Sequence, residues 1–161
     1  MNGTVVRLEP HELLMGAEVA IRRRVASLER GLQDRYGYNG DHTWEQEITS
    51  SLAELAVAKA LGRYWDGSVN TFKRGDVSRL QVRFTLHAEG RLIIRAEDAD
   101  QDVFVLVIGL GPREFHVAGW IRGRDGRKPQ WLTRPDPGRL HCWAVPQDAL
   151  RPVKENGDAK S

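Results

Sequence analysis

The chain has 161 residues, of which 40% are hydrophobic and 29% charged, with a formal net charge of +2. That size and balance fit one soluble domain with a real core, and no apolar run approaches the roughly 20 residues of a membrane span. The one cysteine, Cys142, excludes an internal disulfide and a cysteine-rich zinc site; the start, MNGTVVRLEPHELL, has no basic-then-apolar pattern, so no signal peptide and a reducing cytosol are expected.

A first helix is predicted over residues 11–32, where Leu14, Ala17, Ile21, Val25, Leu28 and Leu32 recur at spacings of three and four. The triplet Arg22, Arg23 and Arg24 lies largely off that stripe. Gly31, Gly37, Asn39 and Gly40 then break the pattern, so a loop with Tyr36 and Tyr38 is expected over 33–43. A second helix is predicted over 44–62, capped by Thr43 with Gln46 three residues on and stopped by Gly62. Its segment SSLAELAVAKAL is apolar on most of its circumference, which implies packing on several sides. Glu54 and Lys59 interrupt it. Charged groups among apolar neighbours must be paired, bound to a metal or reaching for water.

From residue 69 the pattern turns to strands. In LQVRF, Leu80, Val82 and Phe84 share one face, and Gln81, Arg83 and Thr85 the other. Further strands are predicted over 91–95, over 102–109, whose unbroken apolar run suits a strand covered on both faces, and over 114–123. Residues 124–139 read as a long loop with three prolines, HCWAV as a last short strand and PQDAL as one helical turn. The expectation is one domain over 1–153, with its core at 44–153 and a frayed polar tail at 154–161. Its class is α+β, a central mixed sheet flanked by helices, with strands 80–85, 91–95, 102–109 and 114–121 in one sheet.

Familiar catalytic signatures are absent: there is no phosphate loop, GxGxxG, HExxH or GxSxG. The five histidines, His11, His42, His87, His116 and His141, have no helical metal-ligand spacing. What stands out is acidic. Glu54 projects from the second helix, Asp76 sits where a loop enters the sheet, and Gln81 and Arg83 follow on one strand face. A hard cation such as Mg²⁺ takes carboxylate and carbonyl oxygens, and phosphodiester hydrolysis also needs positive charge on the phosphate.

The order Glu54, Asp76, Gln81-Val82-Arg83 resembles the active-site pattern of the PD-(D/E)XK, or restriction-endonuclease-like, nuclease superfamily. More narrowly, ELAVAKALGRYWDGSVNTFKRGDVSRLQVR, DVFVLVIG, HVAGWIRGRDGRKPQWL and WAVPQDALRP resemble a family of uncharacterised phage and bacterial proteins, over residues 44 to 153. The resemblance implies a restriction-endonuclease-like fold and a Mg²⁺ or Mn²⁺ ion held by Glu54, Asp76 and Gln81. Arg83, or Lys59 or Lys73 reaching in, would hold the scissile phosphate. It also implies a cytoplasmic setting in a phage-infected or prophage-bearing cell. Two positions depart from the pattern. Gln81 replaces a carboxylate and brings no charge, and Arg83 replaces a lysine with a group that stays protonated and cannot act as a base.

Basic residues cluster at Arg22 and Arg23 and again at Arg122, Arg124, Arg127 and Lys128, followed by Arg134 and Arg139. They are the candidates for a DNA-binding face, with Trp120 and Trp131 among them as base-stacking candidates. Three functions follow as expectations: a Mg²⁺-dependent DNA nuclease, a degenerate module that binds nucleic acid without cutting, and a small phage interaction protein. A homodimer is compatible with each.

Overall fold

Thr43 begins the best-defined local structure. Its hydroxyl accepts the Gln46 backbone N–H at 3.2 Å while the Gln46 side chain accepts the Thr43 N–H at 3.3 Å, so two otherwise orphaned helix-end donors are satisfied. Between this cap and Gly62, at φ +61°, runs the helix Trp44–Ala60. It is α2 here, after an N-terminal strand β1 (Thr4–Arg7) and a helix α1 (Pro10–Glu29). The computed structural model describes residues 3–30, 43–63, 65, 67, 80–133 and 141–153. The expected loop at 33–43 (apart from Thr43), Lys73, Asp76, Arg134, Arg139 and the tail at 154–161 lie outside them.

The strands follow as β2 (Leu80–Thr85), β3 (Leu92–Arg95), β4 (Val103–Gly109), β5 (Glu114–Arg122), β6 (Leu132–Thr133) and β7 (Cys142–Val145), with a four-residue helix α3 (Gly123–Gly126) after β5. PQDAL forms a single 3₁₀ turn, Gln147–Ala149. The molecule is α+β with a mixed sheet in the order β1-β5-β4-β2. In it β2 and β4 run parallel, and the other neighbours are antiparallel.

The described part of the predicted loop over 124–139 holds most of α3, a 3₁₀ turn at Pro129–Trp131 and β6. Two further expectations need correction. The strand at 92–95 does not join that sheet. It pairs with β7 in a second sheet of order β3-β7-β6. Its alternation, with Leu92 and Ile94 fully buried, showed that one face is covered but not by which sheet. The second correction concerns α1. Leu14, Ile21, Val25 and Leu28 of the predicted apolar stripe are all exposed. The inward face is built from small residues flanked by the partly buried Leu13 and Val19. Gly16 and Ala20 are buried, Ser51 Oγ donates to the Gly16 carbonyl at 2.9 Å, and a Cβ on Gly16 would lie 2.6 Å from Leu52 Cδ2. Close helix approach outweighed the longer apolar stripe.

The layers follow from two clusters of buried side chains. One joins α2 (Ala53, Ala56, Val57) to one face of the four-stranded sheet (Val105, Val107, Phe115, Val117). The other joins the opposite face (Phe104, Leu106, Ile121) to the second sheet (Leu92, Ile94, Val145). The order is therefore α1, α2, four-stranded sheet, three-stranded sheet. β4 is buried on both sides, as its apolar run implied. On β5 the register slips, Leu106 facing Gly119 and Val107 facing Val117. This bulge places Gly119 at φ +154°, where a Cβ would meet the Arg151 carbonyl oxygen at 2.7 Å. The close approach lets Trp120 and Arg151 exchange two backbone hydrogen bonds of 2.9 Å, which ties the C-terminal segment to the sheet.

Candidate functional site

Glu54 is 7% exposed and points from α2 toward α1. Both of its oxygens accept from the Arg23 guanidinium, at 2.7 and 3.0 Å, and Oε2 also accepts the Trp65 indole N–H at 3.3 Å. The Arg23 guanidinium in turn lies 6.0 Å from the centre of the Trp65 ring. A bidentate guanidinium–carboxylate pair is the strongest arrangement those two groups can form, and here it bridges two helices in a largely dry layer.

Gln81 and Arg83 occupy the other side of the sheet. Val82 and Phe84 pack toward α2, so alternation along β2 turns Gln81 and Arg83 away from it. The contacts of Arg83 agree. It donates to Asp98 Oδ1 and Oδ2 at 2.8 and 2.7 Å and to the Ile93 carbonyl at 3.1 Å, with its guanidinium 5.0 Å from the centre of the Phe104 ring. Asp98 also accepts the Arg95 backbone N–H at 2.7 Å. Arg83 thus fastens β2 to the turn after β3, between the two sheets. Lys59 donates to the Arg7 carbonyl at 2.8 Å and to Glu12 Oε1 at 2.7 Å, linking α2 to β1 and to the start of α1. Its stem snorkels along apolar surface to a polar end.

The three described members of the nuclease-like pattern do not converge. Glu54 lies between two helices, while Gln81 and Arg83 lie beyond the sheet. Among the described residues no group of three or more His, Cys, Asp or Glu side chains could hold a metal ion. Asp76, the remaining acid of the pattern, is outside the described residues. Glu54 does not fit a cation site in this arrangement, because both of its oxygens are bound by Arg23, and Arg83, the phosphate-holding candidate, is bound by Asp98 instead.

The basic candidates divide in the same manner. Arg23 belongs to the Glu54 pair. Arg127 turns inward, donating to the Arg95 and Asp98 carbonyls and pairing with Asp100 at 3.3 Å. Arg22 is exposed and pairs with Glu18 at 2.9 Å. Arg124 and Lys128 are exposed and Arg122 is half-buried. Beside them stands Arg151, which the sequence did not single out. It pairs with Asp125 at 3.5 Å and lies 5.0 Å from the centre of the Trp120 ring. Lys128 lies equally close to Trp131. Trp120 packs on the edge of one core cluster and Trp131 on the edge of the other, so the two rings belong to opposite sides of the sheet and do not form a common stacking platform.

Sequence reasoning also missed Asp98 and Glu12, the acids that hold Arg83 and Lys59. The only signal for Asp98 was its place in a tight Arg95–Asp98 turn. Glu12 was visible as the acid three residues after Glu9, whose N–H it accepts at 2.9 Å. His116 is buried, a core histidine. No helix among the described residues is long and apolar enough to cross a membrane. In comparisons with protein-family models, curated proteins and solved structures, this chain matches none.

Proposed function

We propose that the chain is a DNA-binding module, built on a restriction-endonuclease-like core, that does not cut its substrate. The observation that carries this reading is the Glu54–Arg23 pair, in which both carboxylate oxygens are taken by one guanidinium. A helix acid serving Mg²⁺ must offer an oxygen to the ion; here its charge is neutralised from within the fold. The replacement of a carboxylate by Gln81 and of a lysine by Arg83, itself bound to Asp98, supports the same conclusion. Binding would rest on the exposed Arg124 and Lys128 and the half-buried Arg122, through phosphate contacts without base readout.

Fluorescence anisotropy with single-stranded, duplex and branched DNA at low salt tests the reading. The expected result is weak, sequence-independent retention that falls steeply with salt, because each neutralised phosphate releases counterions. Replacing Arg122, Arg124 and Lys128 together by Ala should weaken binding to all DNAs alike and flatten the salt slope. Incubation with Mg²⁺ or Mn²⁺ should yield no cleavage products. Metal-dependent cleavage that disappears in Glu54→Ala or Asp76→Ala would overturn the non-cutting reading in favour of a nuclease. Absence of retention would leave a protein-interaction role.

A further inference from the structure

The outer face of α1 carries exposed apolar side chains that no described residue covers. Leu14 is 73% exposed, Leu28 56%, Ile21 44% and Val25 42%. Scattered exposed apolar side chains are ordinary, but a continuous row along one helix marks a contact surface. Along the same face runs a mixed polar and apolar seam with coiled-coil spacing. His11, Met15, Glu18, Arg22, Val25 and Glu29 follow one another at alternating steps of four and three, and all six are exposed.

Their order is self-complementary. When two copies of a helix pack antiparallel about a two-fold axis, residues equidistant from the axis on either side meet each other. With the axis level with residue 20, His11 faces Glu29 of the second copy, Met15 faces Val25 and Glu18 faces Arg22. Every polar layer then joins unlike charges or a histidine to a carboxylate, and the remaining layer joins two apolar side chains. On the flank of the same seam, at a stagger of two residues from those layers, Leu14 comes beside Leu28 of the second copy and Ile21 beside its own counterpart. A parallel in-register pairing would set Glu18 on Glu18 and Arg22 on Arg22. The opposite face of α1 is already committed to α2 through Gly16, Ala20 and Arg23, so the seam is presented outward on a rigid support.

We infer that α1 forms a homodimer with a second copy of this chain by antiparallel pairing across this seam. The Glu18–Arg22 pair made within each helix becomes part of a four-charge cluster at the centre of the interface. The contact draws on fewer than half of the roughly 20 to 30 residues a side of a standard interface, so self-association is expected to be weak. The inference is independent of whether the chain binds DNA.

Sedimentation velocity of the full chain from about 5 to about 500 µM should show a monomer–dimer equilibrium. Glu18→Arg alone and Arg22→Glu alone should each weaken self-association by about tenfold or more, since each replaces two attractive contacts by two repulsive ones. The two variants mixed should form a one-to-one heterodimer, and the double variant E18R/R22E should dimerise like the wild type. Circular dichroism on each variant separates lost association from lost folding, because both sites are exposed and the fold should persist. A wild type that stays monomeric throughout overturns the inference and assigns the row to another occupant. Dimers indifferent to the single charge reversals, or single variants that fail to pair when mixed, overturn it as well.

Discussion

At the scale of single residues, the Glu54–Arg23 pair shows how a charged group survives in an apolar layer. Removing one partner takes the strongest bond from a mostly buried charge, which costs more than the pair contributes. Arg23→Ala should therefore destabilise the protein by about 3 kcal/mol in urea unfolding, whereas the double change Arg23→Met with Glu54→Leu should lie near the wild type. Glu12 offers a second test. Burial alone would raise its carboxyl, but the Lys59 hydrogen bond, the Glu9 N–H and the charges of Lys59 and His11 together hold it below its ordinary value of 4.5. Its contribution to stability is therefore present above that ordinary value and lost as pH falls through the lower folded-state value. The gap in urea midpoint between wild type and Lys59→Met should be full near neutrality and shrink as the solution is acidified through that window. The sequence flagged Glu54 and Lys59 as anomalies in an apolar helix. It did not identify their partners, because Arg23 lies 31 residues from Glu54 and Glu12 lies 47 from Lys59, and no local periodicity encodes such distances.

At the scale of elements, the legible parts were those with strong local chemistry. The Thr43–Gln46 box and Gly62 bracketed α2, and the alternation of Leu80, Val82 and Phe84 delimited β2. The unbroken apolar run of β4 announced burial on both faces. Two things escaped because they depend on three-dimensional approach. Small side chains at Gly16 and Ala20 decided which face of α1 turned inward, and the destination of β3 was decided by β7, some fifty residues later. Arg83 was legible as unusual, yet its role depends on Asp98 at the turn beyond β3. Asp98→Ala should leave Arg83 partly buried without its carboxylate and release the Arg95 N–H. The expected outcome is a loss of about 3 kcal/mol and faster amide exchange in β3 and β7 than in α2. Equal acceleration throughout the molecule would mean that Asp98 supports the fold globally rather than at the junction of the sheets.

At the scale of the whole molecule, the α+β class was readable from the switch of period near residue 69, whereas the division into two sheets was not. β1 was missed as well: four residues, TVVR, with only Val6 buried, are too few to signal a strand. Yet β1 completes the four-stranded sheet by pairing Thr4 with Val117 and Arg7 with Glu114, and the Leu8 N–H donates to the Arg113 carbonyl. Deleting residues 3–8 should therefore uncover the backbone edge of β5 and remove the buried Leu8. Light scattering on such a truncation should show aggregation by edge-to-edge pairing, where the intact chain stays dispersed. The same pairing sets an order of events during synthesis. β1 has its partner more than a hundred residues downstream, so after leaving the ribosome it must wait while those residues are made. The two helices, adjacent in sequence and in space, can associate in the meantime. The sheet closes only when β5 emerges, which makes the N-terminal strand the last part of the early chain to find its place.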